Sequence, residues 1–482
     1  MRDGMLLRAA LAVLACVGLS GCVYYLNPVC TDLIRNGDET GIDCGGACSP
    51  CPVGERCNSS SDCDQGTCED GRCAPLPCGN GVQDGAETDV DCGGDTCRKC
   101  PGGRKCEVGA DCFNGNCEAA TKTCFALANV SFAPAVSYAA GSKPYVLFGG
   151  DLDNDGDLDL AAANEQDSNI LVYLNDGAGG FAPQASYATG VYPTGGALAD
   201  MNRDGILDVV TADYRGDSVS VLLGTGGGVF APKTTYPTVG GAETSNLAVG
   251  DLDGDGNLDV IATNPQSSSL SQLMGRADGT LEDPIDIPVG LTGSSVPYSV
   301  AIGDFDRNGT ADLAIADVSS LTLIVRLGNG DGTFQPEVPY LEGGLPPYIL
   351  ITHDVDLDGN LDLVCANRSS DDVSVLLGRG DGTFRRFLVS STGEGTGPYA
   401  VSVADFNLDG VPDLVTPNFM SGTGSVLLGR GDGRFDPPID AGPTGLFSYG
   451  VTAGDLDGDG RPDFATANAS SNDVTVKRNT SN

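Results

Sequence analysis

An aspartate-rich loop of nine residues recurs seven times between Asp151 and Asp463, at intervals of 49 to 53 residues. The clearest copy reads Asp-Leu-Asp-Asn-Asp-Gly-Asp-Leu-Asp over residues 151–159. Positions one, three, five and nine carry these side chains: Asp151, Asp153, Asp155 and Asp159; Asp200, Asn202, Asp204 and Asp208; Asp251, Asp253, Asp255 and Asp259; Asp304, Asp306, Asn308 and Asp312; Asp354, Asp356, Asp358 and Asp362; Asp405, Asn407, Asp409 and Asp413; Asp455, Asp457, Asp459 and Asp463. A fixed period of this length indicates an array of repeated supersecondary units.

The spacing of the acidic residues suits a calcium ion. Calcium takes six to eight oxygen ligands at about 2.3–2.6 Å, and alternate side chains of a tight loop converge on one point. Each loop has glycine at position six, which permits the reversal that brings position nine back. We therefore predict up to seven calcium ions, with weaker binding where Asn202, Asn308 or Asn407 replaces a carboxylate. Aspartate-rich turns without metal are the alternative interpretation.

Each repeat continues in the same order after its loop. A strand, a polar loop, a second strand and a glycine turn, which ends in phenylalanine in five of the repeats, lead to a further strand. Four strands per repeat in seven repeats predict an all-β, seven-bladed β-propeller over residues 126–482. The seventh repeat lacks its fourth strand, and Ser131–Tyr138 matches the corresponding Gly180–Tyr187 of the next repeat. We therefore expect an N-terminal strand to complete the last blade.

A short motif at the start of the first loop carries a family resemblance. Phe148-Gly149-Gly150-Asp151 resembles the FG-GAP repeat of integrin α-subunits and its bacterial VCBS-type relatives, over residues 129–478. The resemblance implies a calcium-stabilised propeller used for adhesion, ligand capture or carbohydrate binding. Kelch repeats share the period but lack the aspartate loop.

The first residues have the features of an export signal. The basic residues Arg2 and Arg8 precede the short apolar run Ala9–Leu19, and Leu19-Ser20-Gly21-Cys22 resembles the bacterial lipobox. We predict a lipoprotein signal peptide over residues 1–21, lipidation of Cys22 and a tether over residues 22–29. Val23 favours the outer membrane or cell surface. An ordinary signal peptide with a chance cysteine is the alternative.

Sixteen of the nineteen cysteines form two copies of one pattern, over residues 30–77 and 78–125. Eight cysteines with few apolar side chains need cross-links to build a stable unit. Four disulfides per module are expected, although eight cysteines allow 105 pairings. Zinc is the rival interpretation, because Cys48-x-x-Cys51 and Cys97-x-x-Cys100 have ligand-like spacing.

The net charge and the residue types limit the classes of function that we expect for this chain. A formal net charge of −40 repels nucleic acid, so no nucleic-acid partner is expected. We expect a monomeric binding or adhesion protein, not an enzyme, with an extracellular glycan or protein ligand. A calcium-dependent polysaccharide lyase or hydrolase is the alternative. Five blades place a tyrosine six residues before the first aspartate, either as a ligand-stacking rim or as packing at the strand entrance: Tyr145, Tyr298, Tyr348, Tyr399 and Tyr449.

Overall fold

The computed structural model describes scattered residues between Cys51 and Cys100, and residues 101–482 apart from 128, 240, 242, 291–294, 342–346 and 386. The signal peptide of residues 1–21, the lipidation site Cys22, the tether of residues 22–29 and the first part of cysteine module 1 lie outside the described residues. The chain forms two compact units, one comprising Met1–Cys100 with Arg104–Cys124 and the other Pro101–Gly103 with Phe125–Asn482.

The larger unit consists of seven four-stranded antiparallel sheets, which confirms the predicted seven-bladed all-β propeller. The strands are, for blade 1, β4 (Pro144–Gly150), β5 (Asp159–Asn164), β6 (Asn169–Asn175) and β7 (Phe181–Ala188); for blade 2, β8 (Pro193–Ala199), β9 (Asp208–Asp213), β10 (Ser218–Leu222) and β11 (Thr234–Pro237); for blade 3, β12 (Leu247–Gly250), β13 (Asp259–Asn264), β14 (Ser269–Leu273) and β15 (Ile285–Pro288); for blade 4, β16 (Pro297–Gly303), β17 (Asp312–Asp317), β18 (Thr322–Arg326) and β19 (Val338–Leu341); for blade 5, β20 (Ile349–His353), β21 (Asp362–Asn367), β22 (Asp372–Leu376) and β23 (Leu388–Ser391); for blade 6, β24 (Ser402–Ala404), β25 (Asp413–Asn418), β26 (Thr423–Leu427) and β27 (Ile439–Pro443); for blade 7, β28 (Ser448–Gly454), β29 (Asp463–Asn468), β30 (Asp473–Lys477) and β3 (Val136–Ala139).

The core lies between the blades. All six residues of the second strand are buried in every blade, because this strand has a neighbouring blade against each face. One apolar cluster, for example, joins Phe305 and Leu323 of blade 4 to Leu363 and Leu376 of blade 5. The fourth strands, by contrast, are mostly exposed, as in β11 and β15. Burial of the apolar faces between blades therefore supplies the main stabilisation of the ring.

The ring closes as the sequence predicts. β3 pairs antiparallel with β30, with Val136 opposite Val476 and Ala139 opposite Asp473. The pairing extends outward, since the Ala133 N–H donates to the Arg478 carbonyl over 2.8 Å. Phe132 packs edge-on against Phe464 with ring centroids 5.2 Å apart. Residues more than 300 positions apart in the chain thus form one blade.

The cysteine-rich region contains disulfides in both modules. In module 2 the second cysteine pairs with the fourth, the fifth with the seventh and the sixth with the eighth: Cys92–Cys100, Cys106–Cys117 and Cys112–Cys124. In module 1 the sixth also pairs with the eighth, Cys63–Cys73. These sulfurs, including that of Cys100 from the second Cys-x-x-Cys pair, are oxidised and therefore cannot ligate zinc. Among the described residues of this region, regular structure comprises β1 (Thr67–Glu69), β2 (Arg72–Ala74) and a 3₁₀ turn at Gly109–Asp111.

Candidate metal centres and the opposite face

Each aspartate loop connects the first strand of a blade to the second and is folded by its own carboxylates. In blade 1 the Asp151 carboxylate accepts hydrogen bonds from the backbone N–H of Asp155 at 3.1 Å and of Gly156 at 3.0 Å. Asp155 accepts from the Asp157 N–H at 2.9 Å. Gly156 has φ of +97°, a conformation that side-chain-bearing residues rarely adopt. The glycine at position six is therefore a geometric requirement of the loop.

The loops bring carboxylate oxygens together. One oxygen from each member of a triad lies within 4.8 Å of the others in several blades: Asp151, Asp153 and Asp159; Asp251, Asp253 and Asp255; Asp304, Asp306 and Asp312. All of these donors are hard oxygens, which suit calcium rather than a transition metal. These clusters could hold a metal ion, and calcium as that ion, with ligands from positions one, three, five and nine, stays a prediction.

Position nine has a second role that the sequence analysis missed. The Asp159 carboxylate accepts from the Leu152 N–H at 2.9 Å and from the Asn175 N–H at 2.8 Å, so it ties the loop to the end of the third strand. The same pair of bonds recurs in all seven blades, on Asp208, Asp259, Asp312, Asp362, Asp413 and Asp463 as well. Its signal in the sequence is that this aspartate has no asparagine substitute in any repeat.

Burial makes the position-nine carboxylates costly to ionise. It raises the pKa of Asp259 and Asp312 to about 6, against the opposing effect of the backbone hydrogen bonds, and nearby loop aspartates add to the rise. The pKa of Asp463 is raised to about 7 and that of Asp362 to about 8 for the same reasons. A bound cation favours the ionised form and so offsets this cost.

The three loops with asparagine differ in their local contacts. The Asn308 Nδ2 group donates to the Asp306 carboxylate at 2.9 Å, and the Asn202 Nδ2 group donates to Asp204 at 3.0 Å. Asn407 makes the equivalent bond to Asp409 at 3.2 Å. The amide thus partly compensates a neighbouring carboxylate while its oxygen remains a possible ligand. Weaker calcium binding by these loops stays a prediction.

The loops also connect neighbouring blades. The second residue of a loop is buried and gives its carbonyl to the glycine turn of the next blade. Gly228 donates to Leu152 over 3.0 Å, Gly332 to Leu252 over 3.2 Å and Gly382 to Phe305 over 3.0 Å. Aspartate loops and glycine turns therefore share one face, which we call the loop face, and a metal ion bound in a loop would lie beside an inter-blade contact.

The five predicted tyrosines meet in the centre of the ring. The Tyr145 and Tyr298 hydroxyls are 3.2 Å apart, and the Tyr399 hydroxyl hydrogen-bonds to both. Tyr449 stacks on Tyr145 with ring centroids 4.0 Å apart, and Tyr348 packs edge-on against Tyr298 at 5.4 Å. Burial raises the pKa of Tyr145 and Tyr399. The tyrosines thus contact one another across the axis, and their role as a ligand-stacking rim or as packing at the strand entrance stays a prediction.

An aromatic group extends from this cluster onto the face opposite the loop face. Phe419 packs against Tyr449 with centroids 5.0 Å apart and stacks on Phe447 at 4.7 Å. The Arg368 guanidinium lies 4.0 Å from the centre of the Phe419 ring. Sequence reasoning missed these residues. Their signal is that they are bulky at connections where the other repeats mostly carry small or polar residues.

Five overlapping or adjacent segments match the FG-GAP-like repeat, at residues 151–211, 200–262, 252–315, 354–416 and 418–466, which together span more than half of the chain. The chain belongs to the FG-GAP-like repeat family. The matched segments begin at or close to the first aspartate of a loop in four of the five cases, so the loops are part of what defines the family in this chain. The expected FG-GAP resemblance is thereby confirmed.

Solved structures share the propeller fold at low sequence identity. BBS1N from a complex with ARL6DN soaked with mercury aligns with a TM-score of 0.51 and 13% identity, covering 72% of this chain and 96% of that one. Virginiamycin B lyase from Staphylococcus aureus aligns with a TM-score of 0.50 and 10% identity, covering 71% and 98%. No curated protein matches the sequence significantly. The likeness shows the fold alone.

An FG-GAP propeller indicates a binding, adhesion or scaffold role. The disulfides and the FG-GAP repeats together indicate an extracellular protein. Within the part of the chain that the structure describes, no helix is both long and apolar enough to cross a membrane.

Proposed function

We propose that this FG-GAP protein is a calcium-stabilised, membrane-anchored binding or adhesion protein that recognises an extracellular glycan or protein ligand. The observation that carries the proposal is the sevenfold repetition of a carboxylate loop whose ninth residue is buried and hydrogen-bonded to the backbone. A scaffold with the same element in every blade is stabilised as a whole when the ions bind. Such a scaffold leaves the opposite face free for recognition.

The opposite face is where the blades differ from one another. The connections between strands two and three, and those between blades, carry different residues in each repeat, from Glu165 and Arg368 to Phe419 and Phe447. Variable connections on a rigid scaffold are the usual place for ligand recognition. Lipidation of Cys22 would hold this surface outside the cytoplasm, at the outer membrane or cell surface.

The test is thermal unfolding of the full mature chain in excess calcium and again in excess chelator. A ligand that binds only the native state raises its stability, so we expect a large, saturable rise in melting temperature with calcium. Calorimetric titration of the stripped protein should give up to seven ions per chain. An unchanged melting temperature would contradict the calcium assignment.

Recognition is tested separately, with the calcium-loaded chain on arrays of glycans and matrix proteins. We expect one ligand class to bind reversibly and to be recovered unchanged. Recovery of cleaved or unsaturated sugar products would instead support the lyase or hydrolase alternative.

A further inference from the structure

A pocket of about 280 Å³ opens on the face opposite the loop face, where blade 7 meets blade 1. Phe447 and Tyr449 line one side, and Ser142, Lys143 and Gln166 line the other. The pocket lies beside the ring closure, and its residues come from connections that differ between repeats. Its size suits a small ligand of about one or two sugar rings rather than a folded partner.

The exposure and the backbone conformation of Phe447 are unusual for a residue that serves only to pack the fold. Its side chain is 46% exposed, and its backbone has φ of +55°, the left-handed region that bulky residues rarely adopt. Lys143 and Tyr192 at the corresponding places in blades 1 and 2 have φ of +58° and +63°. The fold therefore imposes the backbone conformation, whereas an exposed phenylalanine ring is particular to this blade.

The exposed ring is held in place. Phe447 stacks on Phe419 with an interplanar angle of 28°, and Phe419 in turn packs against Tyr449. One ring face is thus occupied by protein, and the exposed remainder borders the pocket. A fixed aromatic platform loses little conformational freedom when a ligand stacks on it.

Polar groups with spare hydrogen-bonding capacity surround the ring. The side chains of Gln166 and Ser470 and the Nδ2 group of Asn472 make no hydrogen bond to any other described residue, although the Asn472 oxygen accepts from the Lys143 N–H at 2.8 Å. An apolar ring beside amides and hydroxyls matches a sugar, which presents C–H groups on one side and hydroxyls at its edge.

Local charge favours an uncharged ligand. Lys143 forms an ion pair with Glu165, whose residue is only 7% exposed, so the cation lining the pocket is already neutralised. The net charge of −40 repels anions from the molecule as a whole. The residues that line the pocket include no carboxylate, so none of them offers an anionic partner to a cationic ligand.

We propose that this pocket binds a neutral saccharide, with Phe447 as the stacking platform and Gln166, Ser470 and Asn472 as hydrogen-bonding groups. This inference rests on the proposed binding function and deepens it by naming the site and the ligand class.

The experiment uses the full mature chain loaded with calcium. It is applied to an array of neutral oligosaccharides and uronic-acid oligosaccharides, and the strongest neutral glycan is then titrated calorimetrically into wild type, Phe447→Ala, Gln166→Ala and Tyr192→Ala. Loss of a stacking ring should weaken binding about tenfold or more in Phe447→Ala, and Gln166→Ala should weaken it by a smaller factor. Tyr192→Ala, an aromatic deletion at the matched position of blade 2, should bind like wild type.

Two results would overturn the inference: wild-type affinity of Phe447→Ala for the neutral glycan, or an array that retains only uronic-acid oligosaccharides or no glycan. The melting temperature of each variant in calcium, compared with wild type, shows whether the propeller is intact. The calcium-stabilised propeller could instead bind a protein, or bind a glycan at a different surface. That result would leave the proposed function standing and would contradict only the assignment of this pocket. Loss of calcium stabilisation in wild type would contradict the proposed function itself.

Discussion

Asp213 occupies, at the end of the second strand of blade 2, a place where five other blades have asparagine. In blade 7 the corresponding Asn468 accepts from the Thr466 hydroxyl at 3.1 Å and donates to Thr475 at 2.9 Å. Asp213 instead accepts from the hydroxyls of Thr211, Ser218 and Ser220. Burial raises the pKa of Asp213 to about 6, because three neutral donors do not replace its lost hydration.

We expect Asp213→Asn to stabilise the protein at neutral pH. The folded-state pKa lies above the ordinary value of 3.8, so Asp213 costs no stability at pH values below 3.8. The cost grows as the pH rises from 3.8 to about 6 and stays constant above that pH. The asparagine does not titrate, and the gain at pH 7.5 should be about 1–3 kcal/mol. Urea unfolding at pH 4.5 and pH 7.5 measures it.

Asp317, the equivalent residue of blade 4, is the matched control. Burial acts to raise its pKa, yet hydrogen bonds from Ser295, Ser320 and the Val296 N–H outweigh it and leave the pKa below the ordinary value. Asp317→Asn should therefore destabilise the protein at pH 7.5. A gain for Asp213→Asn that is equal at both pH values would exclude ionisation as its cause.

Asn308 offers a test of ligand charge in a metal loop. Asn308→Asp adds a carboxylate and removes the amide that donates to Asp306. We expect lower stability in chelator, from carboxylate repulsion, and about tenfold tighter calcium binding in one site. Calorimetric titration resolves the change. Asn329→Asp, which adds the same charge in the glycine turn of the same blade, should leave the calcium affinities within about twofold of wild type.

At the scale of the hairpin, the structural role of position nine can be separated by mutation from the predicted metal-binding role that it shares with position five. Both Asp259 and Asp255 are predicted calcium ligands, but Asp259 also accepts from the N–H groups of Leu252 at 2.8 Å and Gly275 at 2.6 Å. Asp259→Ala leaves two buried donors unpaired and should cost about 3 kcal/mol or more even in chelator. Asp255→Ala should cost little in chelator and should reduce only the calcium-dependent stabilisation.

Chemical denaturation of both variants, with calcium and with chelator, makes this comparison. Equal losses for the two variants in chelator would show that the hydrogen bonds of Asp259 contribute no more to the fold than the exposed Asp255.

The strands, their order and the aspartate loops were predictable because seven copies in one register average out the ambiguity of any single segment. The contact among the five tyrosines was not predictable from the sequence, because it depends on how closely the first strands of the blades approach the axis of the ring. That approach is set by residues such as Gly450, where an added Cβ would lie 2.8 Å from the Leu147 nitrogen of the next blade. The pocket at Phe447 depends on connections of blades 1 and 7 that lie far apart in the chain, so it leaves no periodic trace in the sequence.

For the whole molecule, ring closure depends on a short N-terminal segment. Phe132 packs against Phe464 at 5.2 Å and Phe406 at 5.9 Å, and it pairs with Asn479. Phe132→Ala should lower the free energy of unfolding by about 2–3 kcal/mol and speed amide exchange in β30. Val136→Ala removes an exposed side chain from β3 and should change stability by about 0.5 kcal/mol or less. If the rate of amide exchange in β30 were unchanged in Phe132→Ala, the pairing of β3 with β30 would not depend on this ring.

The pairing of β3 with β30 also sets the order of events during secretion. A chain that crosses a membrane amino terminus first delivers Val136–Ala139 early and Asp473–Lys477 last. The first six blades can form one by one on the far side, each against its predecessor, but the seventh sheet cannot form until β28, β29 and β30 arrive and the waiting β3 docks on β30. Translocation is therefore nearly complete before the ring can close, and a chain released short of residue 473 remains an open arc with an unpaired edge.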